Sequence, residues 1–193
     1  MLTLGILGSG SGSNLQAIID AIGEGRLNAR IAMVLSDNPG AFILERAAIA
    51  GIPHGIIDCA SHPSKFPESA QMETATSLRE AGVDLVCLAG FMRLLKKPLL
   101  DAFPSKIINI HPSLLPAYPG VAAWEQAILA GAEETGVTVH VVDAGMDTGS
   151  VILQESLQVL PGETPAALHE RLQKIEHRIY PVAIAQYTPT LQL

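Results

Sequence analysis

Short apolar runs alternate with longer amphipathic segments along most of this chain, and no other sequence feature limits its possible folds as strongly. The run LTLGIL at 2–7 is followed by NLQAIIDAIGEG at 14–25, in which apolar residues recur at helical spacing. The run VDLVCLAG at 83–90 is apolar enough to be buried on both faces of a sheet. Such alternation is typical of βαβ units, so we expect an α/β fold with a mostly parallel sheet.

The remaining elements follow from the same periodicities. Strands are predicted at 2–7, 29–37, 55–58, 83–90 and 106–111, and helices at 14–25, 41–51, 67–82, 124–131 and 164–187. Two further strands, at 136–142 and 150–159, flank the turn DAGMDTG and are predicted to add an antiparallel pair to the sheet. The last helix is long, with Thr164 as the expected N-cap and Pro165 at its first position.

Size, charge and cysteine content narrow the class of protein. The chain has 193 residues, of which 48% are hydrophobic, so we expect one compact domain spanning 1–193. A net charge of −7 argues against a nucleic-acid partner, because sequence-independent binding requires a basic face. Cys59 and Cys87 are too few for a disulfide framework, and Cys87 is expected to be a buried, inert thiol. Without a basic N-terminal region, or an apolar run approaching the roughly 20 residues that span a bilayer, we expect a soluble, unprocessed, cytoplasmic protein with no membrane partner.

A glycine-rich turn, GSGSGSN at 8–14, lies between the first predicted strand and helix. Exposed backbone N–H groups at a helix N-terminus favour an anion, so this turn is a candidate phosphate site. It is not a P-loop, because no lysine follows the glycines, and Ser13 stands where a dinucleotide fingerprint has its third glycine. Two alternatives stay open: Asp37 could act as the ribose-binding acid of a dinucleotide site, and the glycines could serve backbone geometry alone.

Asn109 and His111, in the predicted strand KIINIH, are two residues apart and therefore point to the same side of the sheet. Pro112 biases His111 toward an extended backbone, and Pro116 and Pro119 limit the freedom of the chain that follows. An amide donor beside an imidazole suits acyl transfer, because the amide can donate to an oxyanion and the imidazole can donate or move a proton. The alternative is that Asn109 caps a turn and His111 is a hydrogen-bonded core histidine.

Asp147, in the turn DAGMDTG, is the candidate third member of this group. A carboxylate near His111 would favour the imidazolium and fix the orientation of its ring. The alternative is a turn residue that bonds to its own backbone.

Other polar residues give weaker signals. The other histidines are His54, His62, His140, His169 and His177. Their spacing matches no metal-ligand motif, so no metal site is expected. We expect the last two to be solvated on the final helix. Glu176 and Gln173 lie on nearly the same face of that helix and could reach a ligand, or could form an exposed charged face. Arg93 follows a buried strand, where open α/β sheets bind ligands, or is a surface cation.

The whole chain resembles the phosphoribosylglycinamide formyltransferases, folate-dependent enzymes of purine synthesis. The resemblance is carried, in order, by GSGSN, LAGFMRLL, NIHPSLLPAYPG, MDTGSVILQ and IEHRIYP. The motif N-x-HPSLLP with the later Asp is shared with methionyl-tRNA formyltransferase and formyltetrahydrofolate deformylase. The phosphate loop, and the expectation that the chain has neither the extra C-terminal domain of the first nor the N-terminal domain of the second, favour the purine enzyme.

The resemblance implies a single-domain Rossmann-like formyltransferase fold and a set of site residues. It assigns catalysis to Asn109, His111 and Asp147, and the glycinamide amine to Glu176. The substrate phosphate would bind to Gly12, Ser13, Asn14 and Gln173. The folate would bind to Lys65, Met92, Arg93, Leu94, Leu95, Asn109, Val142, Asp143, Ala144, Gly145 and Met146. The cosubstrate would be 10-formyltetrahydrofolate, the acceptor glycinamide ribonucleotide, and the enzyme a metal-free monomer or homodimer.

The implied mechanism is attack of the glycinamide amine on the formyl carbon. Asn109 and a protonated His111 would stabilise the oxyanion, while Asp147 would raise the pKa of His111 and help relay a proton to the folate nitrogen. The chain departs from the family at Trp124, where relatives often have a polar residue or histidine.

Three other functions remain open. A folate-dependent hydrolase would use the same three catalytic residues. A nicotinamide-dependent oxidoreductase would use the glycine loop and Asp37. A non-catalytic nucleotide-binding module would keep Gly12 to Asn14 and have no need of Asn109, His111 or Asp147.

Overall fold

The computed structural model describes residues 1–59 and 65–191, so His62 lies outside the described residues. The strands are β1 Leu2–Leu7, β2 Ala29–Ser36, β3 His54–Ile56, β4 Leu85–Leu88, β5 Ile107–His111, β6 Glu134–Val141 and β7 Val151–Gln158. The helices are α1 Ser13–Gly23, α2 Phe42–Ile49, α3 Glu68–Glu80, α4 Lys97–Ala102, α5 Ala123–Leu129 and α6 Pro165–Tyr187, followed by a 3-10 turn at Thr188–Thr190. Helix α4 was not predicted, because the sequence periodicity assigned no element to residues 97–102.

The strands form one sheet in the order β3-β2-β1-β4-β5-β6-β7. The first five strands are parallel, whereas β6 runs antiparallel to both β5 and β7. This confirms the predicted mostly parallel sheet with an antiparallel C-terminal pair. The chain builds outward from β1 to β3 and then returns to place β4 on the other side of β1. The carboxyl ends of β1 and β4 therefore flank a topological switch point, where open α/β sheets form ligand crevices.

Apolar side chains pack on both faces of the sheet. The first cluster includes Ile108 and Ile110 of β5 with Ile179 and Ile184 of α6, and the second packs α3 and α4 against the opposite face. Because side chains alternate along a strand, burying Ile108 and Ile110 in the first cluster turns Asn109 and His111 to the other face. Cys87 is fully buried, as expected, and burial raises the pKa of its thiol.

Helix α6 is anchored at its start and in its middle. At the start, Thr164 Oγ1 accepts a hydrogen bond of 3.2 Å from the Ala167 N–H, confirming the predicted N-cap. In the middle, the fully buried Tyr180 donates its hydroxyl to the carbonyl oxygen of Leu88 at 2.8 Å, with that of Ile108 at 3.3 Å. Tyr180 thus ties α6 to β4 and β5. Within the described residues, no helix is both long and apolar enough to cross a membrane.

Tyr180→Phe should lower the free energy of unfolding by about 1–2 kcal/mol, because a buried hydrogen bond is lost without a large change in packing. Tyr187→Phe is the matched control. The Tyr187 hydroxyl donates to the Ser105 carbonyl at an exposed position, so we expect a change of less than about 0.5 kcal/mol. Urea denaturation of both variants measures the difference, and equal effects would contradict the anchoring role of Tyr180.

Candidate active site

A cavity of about 430 Å³ lies at the carboxyl ends of β1 and β4, beside β5. It is bordered by the glycine-rich turn after β1, the segment after β4, the loop 142–147 and one face of α6. The proposed site residues that line it are Gly12, Ser13, Asn14, Met92, Arg93, Leu94, Leu95, Asn109, His111, Val142, Asp143, Gly145, Met146, Asp147, Gln173 and Glu176. Of the predicted set, Lys65 and Ala144 are not among the described residues lining this cavity.

Four polar side chains meet in the floor of this cavity. Asp147 Oδ2 lies 3.5 Å from His111 Nδ1, and Asp147 Oδ1 lies 3.6 Å from His140 Nε2. His140 Nε2 is in turn 3.2 Å from Asn109 Nδ2. The structure therefore brings Asn109, His111 and Asp147 together, as the sequence predicted, and adds His140 to them.

The hydrogen bonds of the two histidines determine which ring nitrogen carries the proton. His111 Nε2 donates to the carbonyl oxygen of Tyr118 at 2.9 Å, so in the neutral ring Nδ1, facing Asp147, is the unprotonated nitrogen. His140 Nδ1 donates to the Val141 carbonyl at 2.9 Å, which leaves Nε2 to accept from the Asn109 amide whenever the ring carries a single proton. This bond orients Asn109, whose NH2 group has a second N–H that can be donated to a substrate oxygen.

The expectation that His111 rests in its protonated form is wrong for this structure. Burial lowers the pKa of His111 below 6.5, and it outweighs the raising effects of the Tyr118 hydrogen bond and of the Asp147 charge. The Asp147 charge thus raises the pKa of His111, as predicted, but the lowering effect of burial is larger. Burial would raise the pKa of Asp147 itself, yet contacts with His140, the Gly120 N–H and the His111 ring lower it overall. At neutral pH the pair is a neutral imidazole beside a carboxylate.

The segment between β5 and α5 is held by hydrogen bonds as well as by its prolines. Thr138 Oγ1 donates to the Ser113 carbonyl at 2.7 Å and accepts from the Leu115 N–H at 3.1 Å. Gln154 donates to both Thr138 Oγ1 and the Leu115 carbonyl. The Leu115-Pro116 peptide bond is cis. This network fixes the backbone that carries the Tyr118 carbonyl, and through it the ring of His111.

The glycine-rich turn leads into helix α1, whose N-terminus has no side-chain cap. The N-cap of α1 is Gly12, in the left-handed region at φ 71°, and no side chain caps the first turn. A Cβ at Gly12 would lie 2.7 Å from Ile43 Cα, so the backbone needs glycine there. The geometric alternative therefore holds for Gly12, and the uncapped N–H groups of the first turn are left without a side-chain acceptor.

Glu176 is buried, so the alternative of an exposed charged face is wrong for this residue. It is 7% exposed, and its Oε2 accepts a 2.8 Å hydrogen bond from Asn14 Nδ2. Burial raises the pKa of Glu176, with Asn14 opposing the shift. Asn14 Oδ1 is also buried and has no hydrogen-bond partner within the described structure. The turn and α6 thus meet at a polar contact that borders the cavity.

Arg93 is paired with a carboxylate, which overturns the alternative of a surface cation. Its Nε lies 2.5 Å from Asp37 Oδ2, with both side chains 9% exposed, and Nη1 donates to the Lys65 carbonyl. Asp37 Oδ1 also accepts from Ser9 Oγ at 2.5 Å. The carboxylate of Asp37 is thus engaged by Ser9 and Arg93 rather than presented to a ribose. Lys65 contributes its backbone, and its side chain is exposed.

The two histidines of α6 are half-buried, so the expectation that they are solvated is wrong. The His169 ring is stacked on Trp124, with ring centroids 3.8 Å apart and an interplanar angle of 4°. His177 Nε2 is buried without a hydrogen-bond partner in the described part of the chain. No group of three or more His, Cys, Asp or Glu side chains in the described ranges is arranged to hold a metal ion.

His140 is the functional residue that sequence reasoning missed. It is 2% exposed and stands opposite Asn109 in the β5–β6 register. The signal was present in GVTVHVV, where alternation puts His140 on the same face as Thr138. Identifying its partner required the register between two strands that are separated by α5.

Comparison with known proteins identifies the family to which the chain is similar. The model of the formyl transferase family matches residues 3–184. Phosphoribosylglycinamide formyltransferase of Bacillus subtilis is 42% identical over 188 residues, which cover 96% of this chain and 94% of that protein. The trifunctional purine biosynthetic protein adenosine-3 of Drosophila melanogaster is 44% identical over 93% of this chain, but the chain spans only 13% of the length of that protein.

Solved structures extend the likeness to the fold. The glycinamide ribonucleotide transformylase 1 of Symbiobacterium toebii superimposes with a TM-score of 0.94 at 49% identity, covering 98% of this chain and 89% of that one. This confirms the predicted single-domain fold. The resemblance seen in the sequence motifs is likewise confirmed, because the family model spans residues 3–184 and the bacterial relative matches over 96% of this chain. The chain therefore belongs to the formyl transferase family.

Proposed function

We propose that this protein transfers the formyl group of 10-formyltetrahydrofolate to the amine of glycinamide ribonucleotide, N1-(5-phospho-D-ribosyl)glycinamide. The products are the N2-formyl ribonucleotide and tetrahydrofolate, in de novo purine biosynthesis. One observation carries the proposal: a single cavity contains both the Asn109, His111, Asp147 and His140 cluster and the uncapped turn at the start of α1. The first suits acyl transfer, and the second suits a phosphate.

The ribonucleotide would lie along the side of the cavity formed by α1 and α6. Its phosphate would accept hydrogen bonds from the backbone around Gly12 to Asn14, with Gln173 beside them. Its amine would meet Glu176, and an N–H or hydroxyl of the substrate could satisfy the buried Asn14 Oδ1. The raised pKa of Glu176 suits this contact, because a carboxyl group that titrates nearer to neutrality can take a proton from an incoming ammonium.

The folate would occupy the side formed by the segments after β4 and β6. Met92, Leu94 and Leu95 offer apolar surface there, and the backbone of Val142 to Met146 offers donors and acceptors for a pterin ring. Arg93 is held by Asp37 and would face the glutamate tail. Lys65, which lies outside the cavity, would contribute only if its exposed side chain reached the same tail.

The reaction requires an oxyanion donor and a route for one proton. The amine lone pair attacks the formyl carbon and the carbonyl π pair moves onto oxygen. The Asn109 amide, oriented by His140, then donates to that oxygen. Collapse of the intermediate breaks the bond between carbon and the folate nitrogen, and this nitrogen gains the proton that the amine loses.

His111 would begin the cycle neutral and become charged as the oxyanion forms. The negative charge of the intermediate, together with the nearby Asp147 carboxylate, favours the imidazolium that burial disfavours in the free enzyme. His111 and Asp147 can then relay the proton from the amine to the leaving nitrogen. This role replaces the His111 kept charged by Asp147 that the family resemblance implies.

The alternative functions are weaker. An oxidoreductase would need Asp37 for a ribose, but Ser9 and Arg93 engage it. A binding module would have no need of the cluster formed by Asn109, His111, His140 and Asp147. A hydrolase would need no phosphate site. We therefore expect a cytoplasmic monomer or homodimer that acts on two small substrates and requires no metal.

The purified protein should remove the formyl group from 10-formyltetrahydrofolate only when glycinamide ribonucleotide is present. The loss is followed spectrophotometrically with and without the ribonucleotide. Turnover without the ribonucleotide would indicate a hydrolase instead, and no turnover in either case would indicate the binding module.

Asn109→Ala should lower kcat by about 100- to 1000-fold, as expected for loss of one oxyanion donor. Asn28→Ala is the control, since Asn28 is exposed and precedes β2. Steady-state kinetics with both substrates varied would measure both variants. A change confined to KM in the Asn109 variant would show that the amide binds substrate but does not stabilise the oxyanion.

Asp147→Asn should lower the pKa of His111 further, because it removes a charge that raises this pKa. Since the neutral ring is the proton acceptor, kcat/KM should rise with pH through a pKa below 6.5 in the wild type, and through a lower one in the variant. NMR titration of the imidazole C–H signals measures this pKa directly. Asp101→Asn, at an exposed position of α4, should leave it unchanged. A higher pKa in the Asp147 variant would refute the assigned electrostatic effect.

A further inference from the structure

The stacked pair Trp124 and His169 closes one wall of the cavity, and neither side chain has a role in the reaction as described so far. Trp124 lies in the first turn of α5 and His169 in the second turn of α6. Their rings are nearly parallel, at 3.8 Å and 4°, and both residues line the cavity. Stacking fixes the plane of the His169 ring, so its nitrogens have defined directions.

His169 belongs to a polar stripe on α6 that starts at the phosphate loop. Residues His169, Gln173 and Glu176 are spaced four and three apart and therefore share one face of the helix. Glu176 is bonded to Asn14 in the first turn of α1, and Gln173 Nε2 lies 3.4 Å from His169 Nε2. At about 1.5 Å rise per residue, His169 is on the order of 10 Å along the helix axis from Glu176. The stripe thus extends from the α1 turn along the cavity wall.

The charges around the cavity leave few groups that could donate a hydrogen bond to a bound phosphate. A phosphate monoester carries about −1.5 to −2 at neutral pH. Among the described lining residues there is no lysine, and the guanidinium of Arg93 is paired with Asp37. His111 and His140 both face Asp147. His169 is the remaining histidine of the described lining, and it lies next to Gln173.

We propose that the His169 imidazole, held flat against Trp124, donates a hydrogen bond to the phosphate of the ribonucleotide, together with Gln173. This rests on the proposed function, since it specifies how that phosphate is bound. Burial lowers the pKa of His169 while Glu170 opposes the shift, and the neutral ring retains one N–H to donate. In the free protein Gln173 Nε2 donates to His169 Nε2 at 3.4 Å, so the proton of the neutral ring is on Nδ1. A phosphate oxygen would replace this contact and accept from Gln173 Nε2 and from the ring, once the ring proton has moved to Nε2. The stack holds the donor in place before binding, which lowers the entropy cost of ordering it.

His169→Phe tests this assignment, because it keeps a ring on Trp124 and removes both ring nitrogens. Isothermal calorimetry with ribose 5-phosphate should show binding weakened by about ten- to hundredfold, as expected for a lost hydrogen bond to a charged group. Ribose, which lacks the phosphate, should bind the variant and the wild type equally. Lys174→Gln is the control for overall charge, since Lys174 is on the same helix but exposed, and it should leave both affinities unchanged within about twofold.

Kinetics separate this proposal from the proposed function. His169→Phe should raise KM for glycinamide ribonucleotide by the same factor as the loss of binding, with kcat and KM for the folate unchanged. Equal binding of ribose 5-phosphate by the variant and the wild type would overturn the role of His169, even with normal turnover. Absence of turnover in the wild type would overturn the proposed function, while calorimetry would still decide the phosphate contact.

Discussion

The antiparallel pairing of β5 with β6 is the constraint on which the candidate site depends. In this register Asn109 stands opposite His140, and His111 opposite Thr138. His140 then orients the Asn109 amide, while Thr138 holds the segment that presents a carbonyl to His111. A shift of β6 by one residue would turn His140 and Thr138 to the other face of the sheet, away from Asn109 and His111. A change of strand direction at the end of a parallel sheet thus produces a rigid polar cluster, with Ile108 and Ile110 packed beneath it.

The electrostatics of this cluster come from a balance between burial and one carboxylate. Burial disfavours the charged form of His111, and Asp147 favours it. His111 Nδ1 and Asp147 Oδ2 are 3.5 Å apart. At this distance the two groups interact electrostatically, but the separation is longer than that of a strong charged hydrogen bond. The ring is therefore neutral at rest and sensitive to any new negative charge beside it. This sensitivity suits a reaction in which negative charge appears on one oxygen and disappears again within each cycle.

Much of this arrangement can be predicted from local sequence, and the remainder cannot for identifiable reasons. Period-two alternation places Asn109 and His111 on one face, and the cap and proline at 164–165 mark the start of α6. The partnership of His140 depends on strand register, and the pairing of Arg93 with Asp37 depends on two loops that meet only after folding. The net pKa shift of His111 depends on how deeply the folded chain buries its ring. The spacing of residues in the sequence does not encode that burial.

An acidic protein that binds two anionic substrates, as we propose for this one, must place its hydrogen-bond donors locally. The net charge is −7, and Asp143, Asp147 and Glu176 all line the cavity. Mobile lysines would be an alternative, but they lose side-chain entropy when they bind. The donors that we propose are instead preorganised: uncapped backbone N–H groups at α1, an arginine held by Asp37, and an imidazole stacked on Trp124. Each is fixed before a ligand arrives, so a few donors can offset an unfavourable overall field.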